Sequence, residues 1–266
     1  MDGAKARADL TRILDAMGPV AVAVSGGVDS MTLAAVAGDV FGHKMLAVHA
    51  VSPAVPPRAT ARVRRLAESL DWPLQILNAG EFGDERYLAN PVNRCYFCKF
   101  NLYGEIARVT DLPIASGTNT DDLSDFRPGL KAAAEYRVCH PYVEAGIDKE
   151  GIRRIARQFG LGDIAELPAA PCLSSRLQTG VIVTPERLRF IDEVEETAKD
   201  ILSPDTVRCR ILSDRVEIQL DARSLETLEE SQTLRARILD FTLGKQPLPV
   251  TFAPYRQGSS VVHGNG

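Results

Sequence analysis

Leu10, Ile13, Leu14 and Met17 recur at helical spacing with charges between them, which predicts an amphipathic helix over the first 18 residues. A Val-rich apolar run over 19–24 follows. It ends in Ser25-Gly26-Gly27-Val28-Asp29-Ser30 and gives way to the helix-like MTLAAVAG of 31–38, the pattern of a buried strand, a tight glycine turn and a helix start. Further apolar runs at 45–51, 74–77 and 112–115 are separated by helix-like segments such as 59–70 and 98–109. Strand and helix alternate, so the expected fold class is α/β, a doubly wound and mainly parallel sheet. In such sheets ligands bind beyond the carboxyl ends of the strands, where the glycine turns at 25–30 and 116–119 both fall.

The pattern changes after a helical stretch over 149–159. The Pro/Ala-rich connector at 166–172 has no periodicity and marks a boundary, giving domains over 1–170 and 171–266. Thr184-Pro185-Glu186 is a helix start, with Thr as cap and Pro in the first turn. A helix, alternating strands at 207–212 and 215–220, a second helix near 225–239 and a strand near 250–252 make a smaller C-terminal α+β domain. No internal repeat or low-complexity tract interrupts it.

The 266 residues are 45% apolar and 25% charged, which excludes disorder as the main state. Thirty-one basic and 35 acidic residues give a net charge of −4, which speaks against a general nucleic-acid or membrane-surface binder. No apolar run approaches the roughly 18 residues of a membrane span. The N-terminal helix lacks the layout of a signal peptide, so a cytoplasmic protein is expected. Five cysteines in a reducing compartment read first as metal-binding or catalytic.

At 25–30, two glycines let the backbone approach a phosphate, and the N–H groups of the turn and the following helix point at the anion. Ser25, Asp29 and Ser30 add polar side chains. Neither the spacing nor the ending of a Walker A loop is present. The segment resembles the PP-loop of ATP pyrophosphatases, Ser-Gly-Gly-x-Asp-Ser, at every fixed position. That resemblance implies cleavage of ATP between the α and β phosphates and adenylation of a carbonyl-type oxygen. The rival reading is an ordinary βα turn. At the same sheet edge, Ser116-Gly117-Thr118-Asn119-Thr120-Asp121-Asp122 is either a set of common caps and turn formers or a second wall of the nucleotide site, with Thr118, Asn119 and Asp122 facing ATP and a carboxylate for Mg²⁺.

Cys95-Tyr96-Phe97-Cys98 is a Cys-x-x-Cys pair, and Cys172 lies in Pro171-Cys-Leu-Ser-Ser-Arg176. Three thiolates with one iron left open suit an iron–sulfur cluster that exchanges sulfide; ordinary thiols are the alternative. Cys172 in its connector is not expected in the core, and the nearby Arg176 is expected to favour its thiolate. Cys209, between Arg208 and Arg210 on an alternating strand, faces away from both and belongs to the core; Cys139 is likewise structural. The two arginines form either a solvated strand face or a fork for a phosphate or carboxylate.

Taken together, 25–30, 93–99, 116–122, Asp125-Phe126-Arg127-Pro128-Gly129-Leu130, 171–176 and Tyr255-Arg256-Gln257-Gly258-Ser259 resemble the LarE family over nearly the full chain. The resemblance implies an ATP-dependent sulfurtransferase of nickel-pincer nucleotide cofactor biosynthesis. It would adenylate a carboxylate of pyridinium-3,5-biscarboxylic acid mononucleotide and convert it to a thiocarboxylate for lactate racemase. Two sulfur strategies occur in the family. In one, a cysteine matching Cys172 is sacrificed and left as dehydroalanine. In the other, cysteines matching Cys95, Cys98 and Cys172 hold a [4Fe–4S] cluster that carries an extra sulfide, and this chain has all three. Arg208 and Arg210 match the positions that hold the substrate phosphate, with Ser175 and Arg256 as helpers. The tail departs from the family pattern, reading Pro254-Tyr255-Arg256-Gln257 where Gly-Tyr-Arg-Ser-Gly is expected. The implied partners are the mononucleotide substrate, a sulfide source and further copies of the chain, as a hexamer. A PP-loop tRNA thiolase, a non-catalytic ATP/AMP sensor and an amidotransferase-type synthetase are the rival classes.

Overall fold

A computed structural model of the chain describes residues 3–123, 127–168, 171–243 and 248–256. In chain order it runs through α1 (Gly3–Met17), β1 (Ala21–Ala23), α2 (Val28–Phe41), β2 (Leu46–Ala50), α3 (Pro57–Ser69), β3 (Leu74–Leu77), α4 (Glu85–Leu88), α5 (Arg94–Val109), β4 (Ile114–Ala115), α6 (Gly129–Glu135), α7 (Pro141–Glu144) and α8 (Lys149–Gln158). It continues through α9 (Pro185–Leu202), β5 (Val207–Ile211), β6 (Val216–Leu220), α10 (Ala222–Glu230), α11 (Gln232–Leu243) and β7 (Val250–Pro254). The chain divides into two compact units, Met1–Asp84 with Asn93–Ala170, and Glu85–Val92 with Pro171–Gly266.

The first unit is built on a parallel sheet of order β3-β2-β1-β4. Successive strand residues point to opposite faces, and both faces are covered. Val22, Ala47 and Ala115 join Leu10, Leu14, Met31, Leu33, Ile152 and Ile155 in one core cluster. Their neighbours Ala21, Val48 and Ile114 join Tyr103, Ile106, Ala132 and Ala133 in another. Two-sided burial explains why these strands read as continuous apolar runs. The strand order reverses direction about β1, so the topological switch point lies between β1 and β4. The loops leaving these two strands are those at 25–30 and 116–122.

The second unit holds a mixed sheet, with β5 antiparallel to β6 and β6 parallel to β7. Thr184 caps α9 through its side chain, which accepts from Arg187 N, as its position before Pro185 predicts. Cys209 is fully buried opposite Ile218. The helix expected near 225–239 is two helices separated at Ser231, whose backbone is extended. Glu226, Glu229 and Glu230 stand at the C-terminal end of α10, where the helix dipole opposes negative charge, and Ser is a weak continuer.

The segment Glu85–Val92, read in sequence with the first domain, groups with the second unit. Tyr87 is 1% exposed and its hydroxyl lies 2.7 Å from Ser174 Oγ. Asn90, also buried, adopts φ +52° and donates to Gln178 O and Val181 O at 2.7 and 3.0 Å. Among the described residues no helix is long and apolar enough to cross a membrane.

Candidate active site

In the first unit the 25–30 loop is tied by its own hydroxyls. Ser30 Oγ accepts from Ser25 N at 3.0 Å, lies 3.1 Å from Ser25 Oγ and donates to Gly27 O at 3.3 Å. Gly26 sits at φ +84°, and a Cβ there would meet Ala59 O at 2.9 Å, so both conformation and space require glycine. Arg62 of α3 donates to Gly26 O at 2.6 Å. His49 of β2 holds the strand exit through Nδ1 to Val24 O at 2.7 Å, with Nε2 2.9 Å from Thr60 Oγ1. A carbonyl only accepts, so Nδ1 carries the proton. Burial, and secondarily Arg64, push the His49 pKa below its ordinary value. The loop ends at the N-terminus of α2, where the first N–H groups lack helical partners and the dipole favours an anion.

The second loop packs against this helix start. A Cβ at Gly117 would lie 2.8 Å from Ser30 N, so glycine permits the contact. Ser116 Oγ is 3.0 Å from Thr118 Oγ1 and 2.8 Å from His140 Nδ1. Burial, followed by Lys99, lowers the His140 pKa. Asn119 is 3% exposed; its N–H donates to Asp122 Oδ2 at 3.2 Å, and Asp122 pairs with Arg127 at 2.6 Å. Asp125 and Phe126 of the same motif, and residues 257–259 of the tail, lie outside the described residues. Cys139 extends β4 through its backbone, and burial, then Glu144, raises its thiol pKa.

Three residues of this site escaped sequence reasoning. Lys149 Nζ donates to both carboxylate oxygens of Asp29 at 2.6 Å, while its backbone N donates to Asp121 Oδ2 at 3.1 Å. The available signal was a lysine on the first turn of a helix, the end the dipole makes unfavourable for a cation. Tyr142, fully buried on α7, donates to Asp29 O at 3.0 Å; Arg62 is the third.

Cys95 and Cys98 lie on the first and second turns of α5, which begins four residues earlier than expected, so about one turn separates them on one face of the helix. Cys95 is exposed, Cys98 half-buried, and neither forms a disulfide. Within neither unit do three His, Cys, Asp or Glu side chains gather to hold a metal among the described residues.

In the second unit, half-buried Cys172 precedes a single 3₁₀ turn over Leu173–Arg176. Arg176, expected to assist the thiolate, is turned elsewhere: Nε and Nη2 donate to Glu195 at 2.9 and 3.1 Å, with both side chains at most 3% exposed. Its Nη1 donates to Pro171 O, Cys172 O and Ser175 Oγ at 2.6, 3.2 and 3.1 Å. Glu195 compensates the guanidinium charge, and Arg176 grips Cys172 by its carbonyl. Arg210, 5% exposed, donates to Gln219 Oε1 at 2.8 Å and to Ser175 O and Arg256 O at 3.3 Å each. Arg208 stacks on Tyr255, 5.7 Å from the ring centroid. The unit thus gathers Ser175, Arg208, Arg210 and the Arg256 backbone. Burial first, then Arg176 and Arg208, lower the pKa of Arg210, with Tyr255 and Glu195 opposing them.

No family model matches the chain. Over 224 residues it is 33% identical to an uncharacterized protein, slr1717, of Synechocystis sp., covering 83% of each. Over 230 residues it is 23% identical to the uncharacterized protein MJ0830 of Methanocaldococcus jannaschii, covering 85% of this chain and 87% of the other. It is 28% identical over 219 residues to a Lactiplantibacillus plantarum protein named pyridinium-3,5-bisthiocarboxylic acid mononucleotide synthase, covering 80% and 79%.

Proposed function

The chain belongs to the LarE family, and on that premise we propose that it is an ATP-dependent sulfurtransferase that converts a carboxylate of pyridinium-3,5-biscarboxylic acid mononucleotide to a thiocarboxylate. The observation that carries the reading is the meeting, at the sheet's switch point, of the 25–30 loop with the 116–122 loop at the start of α2. The first unit is the PP-loop domain on this reading, and the second binds substrate and transfers sulfur.

A carboxylate is a poor acyl donor because its oxygen leaves badly. Attack of that oxygen on the α-phosphorus forms an acyl-adenylate and breaks the bond to pyrophosphate. Sulfur then attacks the acyl carbon, and AMP departs with the former carboxylate oxygen. Ser25, Gly26, Gly27 and Ser30 cradle the phosphates, and Thr118 and Asn119 face the nucleotide. Oxygen donors suit Mg²⁺, and Asp29 and Asp122 would hold it, neutralising charge on the departing pyrophosphate. Arg208, Arg210, Ser175 and Arg256 bind the substrate phosphate. Cys172 carries the sulfur chemistry, and Arg176 fixes its loop.

Cys95, Cys98 and Cys172 would hold a [4Fe–4S] cluster, the first two as a one-turn thiol pair of the kind that suits iron. When bound, the cluster supplies an open iron for a sulfide taken from an external source. The protein works in the cytoplasm as a homo-oligomer, a hexamer by family likeness.

The test is pyrophosphate release with the pyridinium substrate, together with iron and acid-labile sulfide in protein purified without oxygen. Release that requires the substrate, with about four irons per chain, supports the full reading. Release without iron, with Cys172 left as dehydroalanine and its sulfur in the thiocarboxylate, makes Cys172 a single-use donor. Absence of substrate-dependent release overturns the reading.

A further inference from the structure

Helix α3 carries four arginines within eight residues of a chain whose net charge is −4. Arg58, Arg62, Arg65 and Ser69 follow at i, i+4, i+7 and i+11, one face of the helix. Like charges at such spacing repel, by a few tenths of a kcal/mol per pair. Burial, then Arg58 and Arg65, lower the pKa of Arg62, so these cations feel one another. Arg62, Arg64 and Arg65 have no carboxylate partner among the described residues.

This face forms one side of a cleft of about 640 Å³ in the first unit, within the size range of small-molecule sites. Arg62, Arg65 and Ser69 supply one wall, with Leu66 beside them; Leu161, Ile164 and Leu167 form the other. Arg153 pins that second wall by donating to Ala165 O and to Leu167 O. Glu68 and Asp163 stand in the lining as acceptors.

We propose that this cleft is a second ligand site, adjoining the 25–30 loop through Arg62, that binds a mononucleotide. One phosphate dianion matches the two guanidiniums of Arg62 and Arg65. The apolar wall takes the flat base, and Asp163 or Glu68 accepts from ribose hydroxyls, as carboxylates do in dinucleotide folds. Further phosphates would meet those two carboxylates, which favours a monophosphate over a triphosphate. Arg62 also donates to Gly26 O, so a phosphate that engages this guanidinium acts on the carbonyl of the loop. The binding claim stands apart from the function proposed above; only the identification of AMP as the reaction's own product rests on it.

The test is calorimetric titration of AMP, without Mg²⁺, into the full chain and into Arg65→Glu and Ile164→Trp. The first variant reverses an exposed charge, and the second fills the cleft. AMP affinity for one class of sites is expected to fall at least tenfold in both, with any second class unchanged. A second class weakened by Asp29→Ala alone reports on the loop, so failure there leaves the cleft standing. No AMP binding by the wild type, binding untouched by either variant, or inorganic phosphate binding as tightly as AMP overturns the proposal.

Discussion

The buried pair Arg176–Glu195 allows a quantitative test of how the Cys172 turn is held. Both side chains are at most 3% exposed, and Glu195 Oε1 also accepts from Cys209 N at 3.0 Å. Glu195→Leu therefore leaves a buried guanidinium without its counter-ion, a loss of about 3–5 kcal/mol. It also orphans the Cys209 N–H, at about 1–3 kcal/mol if no water reaches it. Removing both charges together is far milder, because a buried pair replaced by apolar groups of similar volume is near neutral. The double variant Arg176→Met/Glu195→Leu still orphans the Cys209 N–H, while the carbonyls of exposed Pro171 and half-buried Cys172 turn to water, so it should lose about 1–3 kcal/mol. The double variant is thus expected to be more stable than Glu195→Leu alone, with a coupling of at least about 2 kcal/mol. The single tryptophan, Trp72, lies in the first unit, so its fluorescence does not report this loss. Hydrogen exchange of the β5 amides does. On the proposed function, Glu195→Leu also slows sulfur transfer while leaving pyrophosphate release intact. If the double variant exchanges as fast as the summed single effects require, the pair is not coupled and the argument fails.

Three further outcomes follow from the first unit. Gly26→Ala combines φ +84° with a Cβ 2.9 Å from Ala59 O; a loss of about 1–2 kcal/mol from the left-handed conformation alone and loss of MgATP binding are expected, and a wild-type melt and titration would count against the loop. Lys149→Met removes the Asp29 ion pair, whose side chains are about one-third exposed, so stability should change by about 1 kcal/mol or less while the apparent KM for MgATP rises at least tenfold; an unchanged KM removes Lys149 from the site. The lowered pKa values of His49 and His140 mean that the fold prefers both neutral. Their contribution is complete above about pH 6.5, the unfolded value, and is lost as pH falls from there through the depressed folded values. Melting temperature should fall over that acid range, and His49→Gln with His140→Gln should flatten the slope.

The parts of the site that sequence made legible are those whose conformation is locally encoded. A Val-rich run into Ser-Gly-Gly-x-Asp-Ser specifies strand, left-handed turn and helix within a dozen residues, and the alternation across Val207–Ile211 sends Cys209 inward and its flanking arginines to the other face. The α/β alternation likewise places both loops at one sheet edge. What stayed hidden are side chains that arrive from far along the chain. Lys149 reaches Asp29 across 120 residues, Tyr87 reaches Ser174 across 87, and Arg62 reaches Gly26 across 36. No periodicity carries that information, because each contact depends on tertiary packing.

Arg176 shows the physical consequence of that division. In sequence it stands four residues from Cys172 with no acidic neighbour in sight, so it reads as a charge for the thiolate. In the fold Glu195, nineteen residues on, takes two of its donors, and three groups of the Cys172 turn take a third nitrogen. A charge that close to a nucleophile acts on it only if nothing nearer compensates it, and burial at 3% makes compensation obligatory. The same rule read in reverse identifies the cations with unfinished business. Arg62 and Arg65 lie on α3 without a carboxylate partner among the described residues, beside a cleft and a loop carbonyl, and those are the positions where an anionic ligand has charge left to neutralise.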